Sequence, residues 1–176
     1  MKKMFFVVIA AALICSFASS ELSARSLILK GGWAMMRNDL ADADDTWTGG
    51  VFVDMGTFVF SSLRFRPGID YVEVEGDNWK YADIWGIHMD WWWFPLQNAP
   101  VNPFLGFGPV LNYIDWNEDR NDDDDSDAGV DLFAGAAFGL RGTPLELFVE
   151  ARYRFIDIAS RDTNILAFNL GIEIKF

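Results

Sequence analysis

The chain has one histidine, His88, and Asp90 follows two residues later. Residues two apart in an extended strand lie on the same face, so this imidazole and this carboxylate look the same way. A Ser–His–acid apparatus would need a hydroxyl within reach of the imidazole. A His-x-Ser spacing is absent, because Met89 and Asp90 follow His88. Both residues are therefore expected in a structural polar network rather than in catalysis. A second candidate is the aspartate-rich stretch Asp122, Asp123, Asp124, Asp125 and Asp127, whose oxygens are of the type that binds Ca²⁺ or Mg²⁺. Asp123, Asp125 and Asp127 alternate, but the glycine falls at Gly129 and no glutamate stands at the twelfth position. The stretch is a poor EF-hand match. It reads as a solvated, self-repelling segment, with weak divalent-cation binding at Asp123, Asp125 and Asp127 as the alternative. No cofactor and no dedicated metal site are expected.

The elements that must position these residues are strands. Period-2 alternation between turn signals predicts strands over 25–36, 47–55, 63–74, 80–94, 102–116, 130–141, 145–156 and 164–176. Each has the ~9–11 residues that a tilted membrane strand requires, or somewhat more. Pro67 and Pro109 fall inside two of them and are expected to mark a bulge or a strand start. The connections alternate in character. Those over 37–46, 75–79, 117–129 and 157–163 are rich in Asp and Asn, whereas 56–62, 95–101 and 142–144 carry no acidic residue. Long external loops and short periplasmic turns would produce such a split.

The two faces of the strands differ as sharply. One parity gives Leu145, Leu147, Val149, Tyr153 and Phe155, and in the fourth strand Trp85, Ile87, Met89, Trp91 and Trp93. The other collects Lys30, Asp54, Arg64, Arg66, Asp70, His88, Asp90, Asn112, Asp131, Arg141, Glu146, Glu150, Arg152, Arg154, Asn169, Glu173 and Lys175. Setting His88 aside, seven of these are basic and seven acidic, so an enclosed polar face could pair its charges, the condition for burying them. Tyr81 and Trp91, ten residues apart, are separated by about 25 Å along a barrel axis at ~3.3 Å per residue and ~40° tilt. That is the height of a membrane apolar band. A soluble barrel would reverse the two faces.

The N-terminus and the overall charge fit this address. Lys2 and Lys3 precede an apolar run from Met4 to Ile14, followed by Ser16, Ala18, Ser19 and Ser20. This is the arrangement of a secretory signal, with cleavage expected after Ala18 or Ser20 and residues 21–176 as a single domain. Cys15 is the one cysteine of the chain and would leave with the signal, so no disulfide is expected. The whole chain has a net charge of −12, and loss of Lys2 and Lys3 makes the remainder still more acidic. Nucleic acid is an unfit partner for such a chain.

The final stretch, Asn169-Leu170-Gly171-Ile172-Glu173-Ile174-Lys175-Phe176, resembles the terminal signal by which bacterial outer-membrane barrels are handed to their assembly machinery. Its pattern elements are Asn169, Gly171, Ile174 and the closing Phe176. Together with Gly49–Asp54, Leu63–Tyr71, Asn102–Gly108 and Leu147–Phe155, it gives the chain a resemblance to the small outer-membrane beta-barrel domain family, which includes OmpX-like and porin-like proteins. The resemblance implies an eight-stranded antiparallel up-and-down transmembrane β-barrel in the bacterial outer membrane. It also implies outer-membrane lipid and lipopolysaccharide as surroundings, the assembly machinery and periplasmic chaperones as partners, and a monomer. Fold transfers across such a family better than activity. A non-enzymatic structural or surface-interaction scaffold with a plugged interior is the expectation. The alternatives are a narrow porin-like channel, with local space at Gly106, Gly108, Gly135 and Gly139, and third a lipid-modifying enzyme.

Overall fold

A chain that alternates apolar and polar residues for most of its length satisfies its backbone groups in a low-dielectric medium only by pairing strands to closure. The computed structural model describes residues 25–38, 45–57, 59–76, 79–96, 99–116, 125–158 and 161–176. Its strands are β1 (Ser26–Asn38), β2 (Thr46–Asp54), β3 (Leu63–Gly76), β4 (Trp79–Trp93), β5 (Asn102–Trp116), β6 (Asp125–Gly139), β7 (Leu145–Ile158) and β8 (Arg161–Lys175). Each pairs antiparallel with the next, and β1 pairs with β8, so the sheet closes without an edge. At one end Arg25 N donates to Asp54 O at 2.8 Å and Phe176 N to Arg25 O at 3.2 Å. The first described residue, the end of β2 and the last residue of the chain therefore share that end.

Several strands run further than the sequence expectation, for one reason. Hydrophobic alternation stops where the outer apolar band stops, while the hydrogen-bonded ladder continues beyond it. β6 begins at Asp125, five residues before the expected Val130, with Asp125 opposite Ile114 and Asp127 opposite Asn112. β3 and β4 run on to Gly76 and back to Trp79, and β7 and β8 pair out to Ile158 and Arg161. Two of the expected loops are thus two-residue connections. β6 also stops at Gly139, which leaves Arg141 in an exposed turn.

The prolines neither start a strand nor shift its register. Pro67 pairs with Met89 and Pro109 with Val130, both inside ladders. The β2–β3 pairing stops at Gly68, next to Pro67, and the β4–β5 pairing skips Pro109, as expected for residues with no N–H to donate. The register shifts lie elsewhere, one in the β3–β4 ladder between Val74 and Gly76 and one between β2 and β3. From Phe52↔Gly68 to the bridge Thr57↔Arg64, β2 advances five residues while β3 retreats four. Gly56, at φ 90°, sits at this extra residue, the backbone region that glycine tolerates best.

The outer face carries Trp33, Met89, Leu105, Leu132, Phe168 and Leu170, all exposed. The inner face is filled by a simple device. Phe52, Phe104, Phe133 and Phe148 point inward, and their cross-strand partners are Gly68, Gly135, Gly106 and Gly171. A Cβ on any of these glycines would run into the facing ring. Glycine thus marks where a large side chain crosses a narrow lumen, and the space expected at Gly106 and Gly135 is occupied. At Gly108 it is taken by the Asp90 carboxylate.

Replacing Gly171 by valine should therefore lower the stability of the refolded protein in detergent by about 1–3 kcal/mol, the usual cost of overpacking. Gly139→Ala, where a Cβ meets nothing within 4 Å, should leave it unchanged. Urea midpoints would decide it, and equal midpoints for both variants would mean that Phe148 is not seated on Gly171.

Candidate functional site: a layered interior

Inward parity delivers charged groups from every strand except β5, which contributes Asn112. They are not spread evenly along the lumen. They form two ionic layers separated by aromatic rings and closed above by aliphatic side chains.

The lower layer lies at the end of the barrel shared by Arg25 and Phe176. Arg66 Nη2 donates to Asp54 Oδ2 and to Glu173 Oε2, each at 2.8 Å, and Ser26 Oγ donates to Glu173 Oε1 at 2.7 Å. Arg64 reaches Asp54 at 3.2 Å from a more open position, and Lys175 pairs with Glu146 at 2.5 Å. Over this layer sits the aromatic group. Trp92 stacks on Phe104 with centroids 4.3 Å apart, and Phe133, Phe148 and Phe94 pack around it. The Arg66 guanidinium lies 4.4 Å from the Trp92 ring centroid, so its flat face has an aromatic partner while its edge meets carboxylates.

The middle layer is centred on two arginines of β7. Arg152 donates to Asp131 and Asp90 at 2.5 Å and to Glu150 at 3.0 Å. Arg154 donates to Asp70 at 2.5 Å, Asp131 at 3.1 Å and Asn112 at 3.3 Å. Lys30 Nζ donates to Glu150 Oε1 at 2.9 Å, and Asn169 Nδ2 to the same oxygen at 3.0 Å. His88 stands between carboxylates, Nε2 2.9 Å from Asp70 Oδ1 and Nδ1 3.1 Å from Asp131 Oδ2. Asp70 Oδ1 receives a hydrogen bond when Nε2 carries the proton and otherwise has none among the described residues. Toward the other end the lumen is closed by Met36, Val72, Ile84, Ile114, Ile156 and Ile165, all buried.

Arg141 is the residue that departs from the expected network. It lies exposed in the turn after β6, outside the lumen. Without it the two ionic layers hold six Lys and Arg against seven carboxylates, and His88 stands between two of those carboxylates. Lys175, although on the inner parity, sits at the mouth with its side chain 43% exposed. Sequence reading missed the apolar layers. The signal was present, since Phe52, Trp92, Phe104, Phe133 and Phe148 share the charged residues' parity, but parity alone does not give height.

The arrangement allows little chemistry. His88 is 1% exposed, and its contacts are carboxylates, guanidinium groups and the Phe52 ring. His88, Asp90 and Asp131 gather three ligand atoms within 4.8 Å of one another. The Arg152 guanidinium, however, already donates to both carboxylates, so a metal ion would have to displace a cation held on three sides. Of the acidic candidates, Asp123 lies outside the described residues, while Asp125 and Asp127 belong to β6. In the terminal pattern, Asn169 holds Glu150 and Gly171 makes room for Phe148, while Phe176 is exposed.

The outer face has its own polar limit. Glu73, Asp83 and Asp115 are neighbours across β3, β4 and β5, and directly below them run Tyr71, Trp85 and Tyr113. Trp47 Nε1 donates to Glu73 at 2.9 Å and Tyr71 OH to Asp83 at 2.5 Å, so aromatic donors secure the start of the acidic row. The side chain of Tyr81 lies outside the described residues.

A model of the outer membrane protein beta-barrel domain family matches residues 6–176. Among solved structures, Neisserial surface protein A (NspA) superimposes with a TM-score of 0.73 at 16% identity, covering 86% of this chain and 96% of that one. The N-terminal β-barrel domain of Pseudomonas aeruginosa OprF gives 0.54 at 10% identity, covering 87% and 98%. Ail of Yersinia pestis, solved with the heparin analogue sucrose octasulfate, gives 0.52 at 12%, covering 87% and 99%. At these identities the likeness is one of fold. No curated protein matches the chain in sequence.

Arg152→Met would leave Asp90, Asp131 and Glu150 without their guanidinium. The expected loss is about 3–5 kcal/mol, the cost of stranding buried charge. Lys175→Met, at a half-open pair, should cost about 1 kcal/mol or less. Reversible urea unfolding in lipid vesicles would measure both. Similar losses would show that the middle layer does not depend on Arg152.

Proposed function

The chain belongs to the outer membrane protein beta-barrel domain family and resides in the bacterial outer membrane, and from that premise we propose that it is a non-enzymatic scaffold whose barrel presents its external connections while its own lumen stays shut. One observation carries this reading. The lumen is crossed by the Trp92–Phe104–Phe133–Phe148 group, an ionic layer lies on each side of it, and aliphatic side chains close the far end. Eight strands leave an interior that side chains can fill, whereas water-filled porins use about 16–18. The one imidazole is locked inside this packing, out of reach of any substrate. A site for lipid modification would need groups open to the bilayer, and His88 has no such opening.

The remaining functional surface is external, and its composition selects partners. The connections at the far end are rich in aspartate, so they favour cations or basic surfaces and repel polyanions. Ail, by contrast, has been captured with a heparin analogue. Divalent cations bridging these aspartates to anionic lipopolysaccharide fit the same charge. The reading also includes residues 1–20 as a cleaved signal. Asn169, Gly171, Ile174 and Phe176 serve as the recognition pattern for periplasmic chaperones and the assembly machinery, and the barrel acts as a monomer.

Purified, refolded protein in a planar bilayer should give no stepwise conductance, even though it migrates on gels as a folded, heat-modifiable barrel. Stable unitary steps would overturn the sealed-lumen reading in favour of a small pore.

A further inference from the structure

The apolar band on the outer face is not equally tall all the way round. On β7 it runs from Phe155 to Leu145 and on β8 from Leu166 to Phe176, end residues ten positions apart in each, or about 25 Å at ~3.3 Å per residue and ~40° tilt. On β3 and β4 the acidic row of Glu73 and Asp83 sets the upper limit. The band below it runs from Tyr71 to Leu63 and from Trp85 to Trp93, end residues eight positions apart, or about 20 Å by the same conversion. The apolar band on the β3–β4 side is therefore shorter than a ~25 Å hydrocarbon band.

The connection between β2 and β3 lies below this short side, and it is built unlike a water-facing turn. Residues 56–62 contain no charge. Val59 is 76% exposed and Phe60 65% exposed, directly beyond the outward-facing Leu63. Val59 is also the one non-glycine residue with positive φ among the described residues, at 67°. A β-branched residue there is a genuine outlier, with a cost of order 1–3 kcal/mol. Water is a poor surrounding for two large apolar groups on a strained backbone. Leu96 and Phe176 are exposed at the same end of the barrel, so the turn continues a greasy rim.

We infer that Val59 and Phe60 insert into the periplasmic leaflet of the outer membrane and supply the missing height of the apolar band on the β3–β4 side. The occupant of this surface is phospholipid acyl chain. The inference rests on the membrane reading given above, with this end facing the periplasm. It adds that the β2–β3 turn is a lipid anchor rather than a soluble connector. Hydrophobic mismatch costs fractions of a kcal/mol per Å, so the turn would fix the depth and tilt of the barrel rather than its fold.

The test uses the chain refolded in phosphatidylcholine vesicles, with Cys15→Ser as background and single nitroxide labels at Phe60→Cys and, separately, at Val59→Cys. Leu170→Cys, 69% exposed in the middle of the band, is the lipid reference, and Asp45→Cys at the external end is the water reference. Heat-modifiable gel migration shows which labelled variants have folded. The ratio of oxygen to nickel-chelate accessibility at positions 59 and 60 should resemble that at Leu170 and exceed that at Asp45 several-fold. A water-like ratio at both turn positions, with Leu170 still lipid-like, would overturn the anchor and leave the barrel reading intact. Protection from both reagents would mean a protein cover, a second copy or a partner, and would overturn it equally. A water-like ratio at Leu170 itself would remove the membrane reading and the anchor together.

Discussion

Water is scarce on both faces of a small barrel in a bilayer, and the inner face is the stricter of the two. Lipid keeps the outside dry, and the small circumference does the same inside. A charge placed on the inner parity has no solvent to lean on, and leaving it unpaired costs several kcal/mol. Arg152 answers this with three carboxylates and with the ring of Phe133, 4.2 Å from its guanidinium carbon. The neighbouring positions are shaped around that requirement. Gly86 has no side chain because Asp70, His88 and Arg154 occupy the space where its Cβ would be. Gly108 yields to Asp90, and Gly32 to Asn169 and its backbone. Glycines scattered through the strands, which weaken isolated sheets, are here the condition for fitting long side chains into a narrow tube.

Much of this was legible in the chain and some of it was not, for separable reasons. Period-2 alternation gives parity without reference to any neighbour, so the inner and outer sets from Leu145 to Phe155 could be assigned residue by residue. Strand ends were less legible, because a ladder outside the membrane needs no apolar face. Asp125 and Asp127 extend β6 on backbone hydrogen bonds with a sequence that reads as loop. The height of one strand relative to its neighbour was not legible at all. Placing Phe148 under Gly171, or Arg66 beside Trp92, requires the register between strands, which the alternation within a strand does not contain.

Arg141 illustrates the limit from the other side. It has the inner parity if β6 is extended by two residues, and on that basis it completes an even balance of charges. The strand ends at Gly139 instead, and the chain turns at Gly142 with φ 77°. The layers then hold more carboxylates than Lys and Arg, and His88 has a carboxylate on each ring nitrogen. A histidine that spacing alone already separated from a hydroxyl partner is thus a member of the ionic layer.

On the sealed-lumen reading, the layered filling sets the cost of any path through the barrel. A path past Trp92 would have to move a ring stacked on Phe104 and covered by Arg66. Moving Arg66 separates it from Asp54 and Glu173 in a region where neither carboxylate has water to take its place. The next obstacle is Arg152, with the same penalty and three carboxylates instead of two. Each step exposes buried charge before it opens any volume, so the costs fall before hydration can offset them. Variation that adds function at low cost is therefore confined to the external ends of the strands, where the ladder runs on beyond the apolar band and side chains change without disturbing a single ion pair of the middle layer.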